Sequence, residues 1–337
     1  MVEDRPTVGV TIGDPAGIGP EVSVKSLMRN EIYTLCKPVL IGDLNLLEKT
    51  ADRLGLKVEF KALSSPRSAQ GRFRVIEVID LKNVDLDNLR IGEVSAEAGR
   101  ASLDYIEQAV KYALRGELDA IVTAPISKRA IRLAGCKYIG HTELIGALAG
   151  VEEPLTMFWV QGVRIFFLTR HLPLIEAIRA VKKGRIVNIV LRINREMRRM
   201  GIERPRIAVA ALNPHASDGG LIGDEEEKEI KPAVSELRGM GIDVYGPIPA
   251  DSVFHQALEG RYDAVLSLYH DQGHIAAKTR DFYGTVSVTL GLPFVRTSVD
   301  HGTAFDIAGR GIANPRSMEE AIKLAAELAL KVRSTTS

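Results

Sequence analysis

The chain has 337 residues, which is enough for two domains or for one large α/β unit. Its 44 lysine and arginine residues against 43 aspartate and glutamate residues leave a net charge of +1. This near-neutral balance argues against a dedicated nucleic-acid-binding protein, which carries a concentrated positive field. Hydrophobic residues make up 45% and charged residues 26%, which excludes disorder as a description of the whole chain.

The two cysteines, Cys36 and Cys136, lie far apart and form no CxxC motif. They indicate neither a disulfide framework nor a thiolate zinc site, and a reducing, cytoplasmic compartment fits them best. The segment Met1–Pro6 has no basic region leading into an apolar run, so we expect no signal peptide. No uninterrupted apolar stretch approaches the roughly 20 residues of a membrane helix, so we expect no membrane partner.

Apolar runs alternate with amphipathic patterns along the whole chain. The predicted strands are Thr7–Ile12, Pro38–Ile41, Ala120–Val122, Arg164–Leu168, Arg206–Leu212, Ala264–Leu268 and Val286–Leu290. The predicted helices are Gly19–Met28, Leu44–Leu54, Ser95–Leu114, Lys183–Met200, Asp224–Met240 and Ser317–Val332. This alternation implies crossover connections, so the sequence predicts an α/β fold with a mostly parallel sheet. The most linker-like stretch is Ser64–Arg72, and composition alone sets no domain limits.

Three of the seven histidines follow the ends of predicted strands: His171, His215 and His270. Ligands of open α/β sheets bind beyond the carboxyl ends of the strands. Three neutral imidazoles with an open coordination position would form a Lewis-acid metal site. Long stretches of chain separate the three, so their spacing alone supports a metal only weakly, and packed or surface histidines remain the alternative. A fourth histidine, His141, precedes a helix and either contacts substrate or belongs to a helix cap through Thr142.

The block Gly13–Glu21 joins a strand to a helix, where backbone amides can hold an anion. It matches neither the dinucleotide fingerprint nor a Walker loop, and a tight turn is the alternative. Lys278 and Arg296 bracket the strand Val286–Leu290 and would suit a phosphate or a carboxylate, although each taken singly is typical of a solvated surface cation. Asp251 follows a proline-rich segment that could fix its carboxylate near a site, with a turn-forming role as the alternative.

Eight sequence blocks together resemble the 4-hydroxythreonine-4-phosphate dehydrogenase family over nearly the whole chain. They are GDPAGIGPE (13–21), TAPISK (123–128), GHTE (140–143), HLPL (171–174), NPHASDGGLIGDEE (213–226), GPIPAD (246–251), YHDQGH (269–274) and LGLPFVRTSVDHGTAFDIAG (290–309). More distantly, GTAFDIAGRGIANP (302–315) looks like the nucleotide-binding loop of isopropylmalate and isocitrate dehydrogenases. The order and combination of these blocks are highly specific.

The resemblance implies the two-domain α/β fold of the isocitrate and isopropylmalate dehydrogenases. Residues 1–129 together with 297–337 would form the first domain, which carries both termini. Residues 130–296 would form the second, which carries the metal and substrate residues. The family resemblance also implies a homodimer with its active site at the subunit interface, so the metal ligands need not come from one chain.

The resemblance assigns roles to individual residues. The metal ligands would be His171, His215 and His270, for a divalent ion such as zinc, cobalt or magnesium. The substrate contacts would be His141, Thr142, Lys278, Ser287 and Arg296, with Asp251 and Lys278 as the catalytic side chains. The NAD contacts would be His301, Gly302, Thr303, Ala304, Asp306 and Asn314, with NADP as the alternative cofactor.

These roles imply oxidation by NAD of the 3-hydroxyl group of a 4-phosphorylated 3-hydroxy acid, giving a 3-keto acid that can lose carbon dioxide. The expected substrate is of the 4-hydroxythreonine 4-phosphate type, as in pyridoxal phosphate biosynthesis. Family members commonly have asparagine where this chain has Ser287, so 4-phospho-D-threonate, 4-phospho-D-erythronate and an aromatic dihydrodiol acid remain alternatives. A phosphate acyltransferase of related fold is the alternative from another enzyme class.

Overall fold

A computed structural model describes residues 5–336 of the chain. Met1–Asp4 and Ser337 lie outside the described residues. The parts of the signal-peptide and domain predictions that include these residues therefore lie outside them too. The chain divides into two compact units. Unit 1 comprises the residues up to Pro154 and Val286–Arg333, and unit 2 comprises Leu155–Thr285, with the chain end from Ser334 grouped with it.

The sheet of unit 1 has the strand order β3-β4-β2-β1-β5-β12-β11. These strands are β1 (Thr7–Thr11), β2 (Lys37–Gly42), β3 (Glu59–Ala62), β4 (Val75–Asp80), β5 (Ala120–Thr123), β11 (Val286–Leu290) and β12 (Val295–Ser298). The helices are α1 (Gly19–Ser26), α2 (Asn30–Leu35), α3 (Leu44–Arg53), α4 (Ala96–Leu114), α5 (Lys128–Leu133), α6 (His141–Leu148) and α12 (Arg316–Thr336). The pair β11–β12 is antiparallel, and the other pairs of this unit are parallel.

The sheet of unit 2 has the strand order β6-β7-β10-β8-β9. These strands are β6 (Leu155–Val160), β7 (Val163–Phe167), β8 (Ile207–Ala210), β9 (Val244–Ile248) and β10 (Ala264–Ser267). The helices are α7 (Leu174–Arg179), α8 (Lys183–Arg199), α9 (Lys231–Gly239), α10 (Ala250–Leu258) and α11 (His270–Arg280). The pair β6–β7 is antiparallel, whereas β7–β10, β10–β8 and β8–β9 are parallel.

The predicted α/β class with a mostly parallel sheet is confirmed. The central strands are buried along their length, as β1 and β5 show, because helices cover parallel strands on both faces. Helix α4 begins where the sequence predicts, since the Ser95 side chain accepts a hydrogen bond from the Ala98 amide and caps the first turn. Among the described residues, no helix is long and apolar enough to span a membrane.

The structure contains elements that the sequence did not predict, among them β4, β6 and β12, and it differs from two predicted features. The predicted helix Asp224–Met240 is interrupted, because Glu226–Ile230 forms a π-helical turn and regular helix α9 begins only at Lys231. The stretch Ser64–Arg72 lies inside unit 1 and does not link the two units. The Glu77 carboxylate anchors it by accepting hydrogen bonds from the Gln70 and Gly71 amides.

The limits of the two compact units differ from the predicted domain limits. Residues 130–154 and 286–296, which the sequence assigns to the second domain, pack in unit 1. Helix α5 packs against α4, and β12 pairs with β5. These residues therefore complete the helical layer and the sheet of unit 1.

Candidate active site

The sheet order of unit 2 brings the ends of three strands together. Strands β7, β10 and β8 are parallel neighbours, and their carboxyl ends meet at one edge. The chain leaving β7 carries His171, α11 begins after β10 at His270, and the loop after β8 carries His215. The topology thus places the three predicted metal ligands on segments that leave a single edge of the sheet.

Two of these histidines are close neighbours. The ring centroids of His171 and His270 lie 6.0 Å apart. His270 Nδ1 is 2.6 Å from Asp271 Oδ1, and the His270 ring stacks on His274 at a centroid distance of 3.5 Å. A carboxylate on one ring nitrogen fixes the orientation of an imidazole and makes the other nitrogen a better metal ligand. Asp271 and His274 had no role in the sequence prediction, although both stand in the quoted YHDQGH block.

This donor set fits a divalent transition metal by its chemistry. Imidazole nitrogens bind such ions at about 2 Å, which puts each ring centroid about 3 Å from the ion and two centroids within about 6 Å of each other. Within residues 5–336, no group of three His, Cys, Asp or Glu side chains has an arrangement that could hold a metal. His171 and His270 are therefore neighbours in the structure, and their role as metal ligands together with His215 stays a prediction.

The two predicted catalytic side chains also belong to unit 2. Asp251 is exposed in the first turn of α10, and this helix packs against the Pro214–Gly220 segment that carries His215. Lys278 is half-buried in the last turn of α11, the helix that begins at His270, and its Nζ lies 5.3 Å from the centroid of the Phe282 ring. Both predicted residues therefore stand on elements adjoining the histidine segments.

Arg296 in unit 1 is a buried cation on strand β12, with 2% of its surface exposed. Its Nη1 donates a hydrogen bond to Thr289 Oγ1 at 2.8 Å, and its Nη2 donates one to Thr123 Oγ1 at 2.6 Å. Within the described part of the chain, its Nε has no hydrogen-bond partner. Burial lowers the pKa of Arg296 to about 10, against the opposing effect of the Glu143 carboxylate. The interpretation of Arg296 as a solvated surface cation is wrong.

His141 adds a second unsatisfied group in the same unit. Its Nε2 is shielded from solvent and has no hydrogen-bond partner among residues 5–336. Burial, followed by the positive charges of Arg296 and Lys128, holds the pKa of His141 well below its ordinary value. A buried polar atom without a hydrogen-bond partner indicates a place for a ligand or a bound water. The unpartnered nitrogens of His141 and Arg296, together with the positive charge of Arg296, are suited to an anionic ligand.

Helix α6 begins at His141, after Gly140, and no side chain caps it. Thr142 therefore stands inside the first turn, and the alternative of a cap through Thr142 is wrong.

A row of hydroxyl groups runs across three strands of unit 1 beside Arg296. Ser287 on β11 lies opposite Ser298 on β12, and Ser298 lies beside Thr123 on β5. Thr123 Oγ1 donates to Ser298 Oγ at 3.0 Å. Directly opposed residues share one face of a sheet, so Ser287 belongs to the same polar face as Arg296.

The predicted cofactor segment packs against the early glycine-rich block. The Ile18 amide donates to the Thr303 carbonyl at 3.0 Å, and a Cβ added to Gly17 would lie 3.0 Å from Thr303. Ala304 has a φ of +42°, which fixes the sharp turn of this segment. His301 Nδ1 is 3.0 Å from the Gly302 carbonyl, and Asp306 is exposed.

A buried clamp holds the chain next to Asn314. Lys25 Nζ donates to the carbonyls of Gly311 at 2.8 Å and Ala313 at 2.9 Å, and it forms an ion pair with Glu21. Glu21 also accepts a hydrogen bond from the Ala313 amide at 2.8 Å. The Asn314 Oδ1 in turn accepts from the Arg316 amide. The block Gly13–Glu21 is therefore more than a tight turn, because its final residue anchors the predicted NAD segment.

Asp14, in the same block, is a buried carboxylate. It has no exposed surface, its Oδ1 accepts a hydrogen bond from the Ala16 amide at 2.9 Å, and its Oδ2 has no partner within residues 5–336. Burial raises the pKa of Asp14 to about 6, although the backbone amides of Ala16 and Ser127 oppose the shift. Sequence reasoning assigned Asp14 no role, and its only signal was a position just after a predicted strand.

The chain is similar to known proteins over nearly its whole length. Residues 34–325 match the family described as pyridoxal phosphate biosynthetic protein PdxA. A protein from Symbiobacterium thermophilum, provisionally named D-threonate 4-phosphate dehydrogenase, is 49% identical over 99% of this chain and 100% of its own length.

Two solved structures of 4-hydroxythreonine-4-phosphate dehydrogenases are similar to this chain. The one from Klebsiella pneumoniae has a TM-score of 0.89 and 42% identity, covering 96% of this chain and 99% of that one. The one from Burkholderia phymatum has a TM-score of 0.85 and 44% identity, covering 96% and 98%.

The chain is a member of the PdxA family, an oxidoreductase that acts on a CH–OH group. The acyltransferase alternative is therefore not retained.

Proposed function

We propose that this protein is an NAD-dependent, metal-dependent dehydrogenase that oxidises the 3-hydroxyl group of D-threonate 4-phosphate. The buried pair of unsatisfied nitrogens, Arg296 Nε and His141 Nε2, is the observation that carries the proposal. It supports recognition of an anionic ligand by unit 1. The relative that shares 49% identity over essentially both full lengths supports the choice of this acid.

The chain's own residues have defined tasks in this proposal. Arg296 and Lys278 neutralise and orient the phosphate group, since a planar guanidinium and an ammonium suit phosphate oxygens. His141, kept neutral by its depressed pKa, hydrogen-bonds the substrate without adding charge. Asp251 accepts the proton of the substrate hydroxyl group, and bound NAD would supply the acceptor for the hydrogen on C3. The product is a 3-keto acid, which can lose carbon dioxide.

Two bound groups complete the site. A divalent ion held by His171, His215 and His270 would polarise the hydroxyl group and favour its ionised form. NAD, held by His301, Gly302, Thr303, Ala304, Asp306 and Asn314, would accept the hydride. We propose that two subunits share this site, as the family resemblance implies.

A second substrate, 4-hydroxythreonine 4-phosphate, carries an amine at C2 where threonate carries a hydroxyl group. The two solved structures named for that substrate, at 42% and 44% identity, favour keeping it as a candidate. Ser287 is the residue we expect to distinguish them. The short hydroxyl group of Ser287, on the polar face with Arg296, suits a hydroxylated C2. The side chain of asparagine is longer, and it presents its acceptor oxygen and its donor NH₂ group separately.

A substrate panel tests the proposal. The purified protein is mixed with Zn²⁺, Co²⁺ or Mg²⁺, with NAD or NADP, and with each of D-threonate 4-phosphate, D-erythronate 4-phosphate and 4-hydroxythreonine 4-phosphate. Formation of reduced nicotinamide is followed by its absorbance. The highest kcat/KM is expected for D-threonate 4-phosphate with NAD, and Ser287→Asn should shift preference towards the amino acid. Unphosphorylated D-threonate is the control, and a kcat/KM equal to that of D-threonate 4-phosphate would contradict the phosphate role of Arg296.

A further inference from the structure

Unit 2 contains a left-handed backbone segment directly after the loop that leaves β8. His215, Ala216, Ser217 and Asp218 have φ angles of 54°, 56°, 66° and 47°, and Gly219 follows at 71°. Four successive non-glycine residues in this region are unfavourable, because the Cβ of each approaches its own backbone. Such conformations persist where the surrounding structure fixes them, and they concentrate at functional sites.

A buried carboxylate fixes the start of this segment. Glu226 lies on the π-helical turn and has no exposed surface. Its Oε1 accepts hydrogen bonds from the Leu212 amide at 2.8 Å and the Asn213 amide at 2.7 Å, and its Oε2 accepts from Asn213 Nδ2 at 2.8 Å. Hydrogen bonds to an ionised acceptor are stronger than neutral ones, and three of them offset the cost of burying the carboxylate.

The far end of the left-handed segment folds back towards Asn213. The Ile222 amide donates to the Ser217 carbonyl at 3.0 Å, and the Gly220 amide donates to Ser217 Oγ at 3.2 Å. A Cβ added to Gly223 would lie 2.4 Å from Asn213 Nδ2. Asn213 is therefore enclosed between Glu226 and the returning chain, two residues before His215.

The geometry points to Glu226 as a positioning residue that acts through Asn213 to hold the His215 imidazole in its metal-binding place. This assignment rests on the proposed function, in which His215 is a metal ligand. It explains why a carboxylate is buried at the interruption of the predicted helix Asp224–Met240. The π-helical turn places the Glu226 carboxylate within hydrogen-bond distance of the Leu212 and Asn213 amides.

The test compares Glu226→Gln with Glu227→Gln, a matched control in which the neighbouring carboxylate pairs with Lys231 outside the anchor. Glutamine keeps one oxygen for the two backbone amides, but its NH₂ group faces the NH₂ group of Asn213. Calorimetric titration of the metal-free proteins with Co²⁺ should show binding weakened about 10-fold in Glu226→Gln and unchanged in Glu227→Gln. Turnover of Glu226→Gln should fall at low Co²⁺ and return towards the wild-type kcat at saturating Co²⁺.

If Glu226 has only a structural role, Glu226→Gln will have a lower melting temperature than wild type but the same Co²⁺ affinity. That result would overturn the assignment. If Glu226→Gln does not fold, Asn213→Ala carries the same test, because it removes the side-chain link and leaves the backbone anchors of Glu226. An unchanged Co²⁺ affinity in Asn213→Ala would overturn the assignment equally.

His215→Ala separates this inference from the proposed function. Co²⁺ binding that is lost in His215→Ala but normal in Glu226→Gln rejects only the positioning role. Co²⁺ binding that is normal in His215→Ala rejects His215 as a ligand, and the positioning role with it.

Discussion

Arg296 and Thr123 are joined across strands β12 and β5 by a hydrogen bond of 2.6 Å from Nη2 to Oγ1. The bond orients a guanidinium that is almost fully buried, so the cation is held in place before any ligand binds. Preorganisation of this kind reduces the entropy lost on binding.

Arg296→Lys should therefore weaken recognition of the phosphorylated substrate more than it alters the protein's stability. Lysine keeps the positive charge but cannot reach Thr123 and Thr289 while presenting a planar edge to a ligand. We expect KM for the substrate to rise at least about tenfold, which corresponds to about 1.4 kcal/mol. Steady-state kinetics measure this change, and Arg132→Lys, at an exposed arginine of α5, serves as the control. An unchanged KM would remove Arg296 from substrate binding.

Asp14→Asn should stabilise the protein near neutral pH. The pKa of Asp14 is raised from 3.8 to about 6, so the folded state binds a proton more tightly than the unfolded state does. Ionisation of Asp14 therefore costs stability as the pH rises from about 4 to 6, by up to about 3 kcal/mol above pH 6. Asparagine keeps the acceptor for the Ala16 amide and removes this cost.

Denaturant unfolding of wild type and Asp14→Asn at pH 4, 6 and 8 measures the effect. The gain should be present at pH 8 and disappear towards pH 4. The control is Asp85→Asn, because hydrogen bonds from Asn88 and Asp87 lower the pKa of that exposed carboxyl group and its neutralisation should bring no gain. A gain that stays constant with pH would show that charge is not its cause.

His141→Gln should flatten the acid limb of the stability profile. The depressed pKa keeps His141 neutral in the folded state, whereas the unfolded state gains a proton below pH 6.5. Wild type should therefore lose stability as the pH falls below 6.5, with a slope of about 1.4 kcal/mol per pH unit from this group while it stays neutral. His255→Gln, at an exposed histidine of α10, is the control. Identical slopes for wild type and His141→Gln between pH 5 and 6.5 would contradict the prediction.

Lys25→Met should weaken NAD binding without unfolding the protein. Methionine fills the space of the side chain but leaves the Gly311 and Ala313 carbonyls without their donor, so the segment before Asn314 keeps only the hydrogen bond from the Ala313 amide to Glu21. Calorimetric titration with NAD should show affinity lowered about tenfold, a change of about 1.4 kcal/mol. Lys111→Met, on the exposed side of α4, should bind NAD like wild type. Equal NAD affinities of wild type and Lys25→Met would show that the contacts of Lys25 do not affect NAD binding.

Asp271→Asn should lower metal affinity while His270 itself remains. The carboxylate 2.6 Å from His270 Nδ1 orients the ring and increases its basicity, and loss of such a partner typically costs 10- to 100-fold in affinity. Titration with Co²⁺ measures the change, with Glu259→Gln as an exposed control. A Co²⁺ affinity equal to that of wild type would show that Asp271 has no part in metal binding.

Sequence patterns predicted about half of the regular elements, because burial of one helix face produces a local period and burial of a whole parallel strand produces a continuous apolar run. They could not show that Arg296 is buried, since one of the two hydroxyl groups that accept its hydrogen bonds belongs to Thr123 on β5, 173 residues away in the chain. The partners of Lys25 are nearly 300 residues away, at Gly311 and Ala313. The interruption of helix Asp224–Met240 has a signal in the sequence, because Pro232 has no amide proton to continue a regular helix and instead stands at the start of α9. The contacts of Glu226 with the Leu212 and Asn213 amides, in contrast, could not be predicted from the pattern of the helix.

The place of β12 in the sheet has a consequence for synthesis on the ribosome. Strand β5 ends at Thr123, but its neighbour on one side, β12, begins only at Val295. The whole of Leu155–Thr285 is translated in between, so that side of β5 emerges long before its partner exists. An unpaired strand edge invites association with other chains. The nascent protein therefore passes through a stage in which it is most vulnerable to aggregation, and chaperone protection would matter most there.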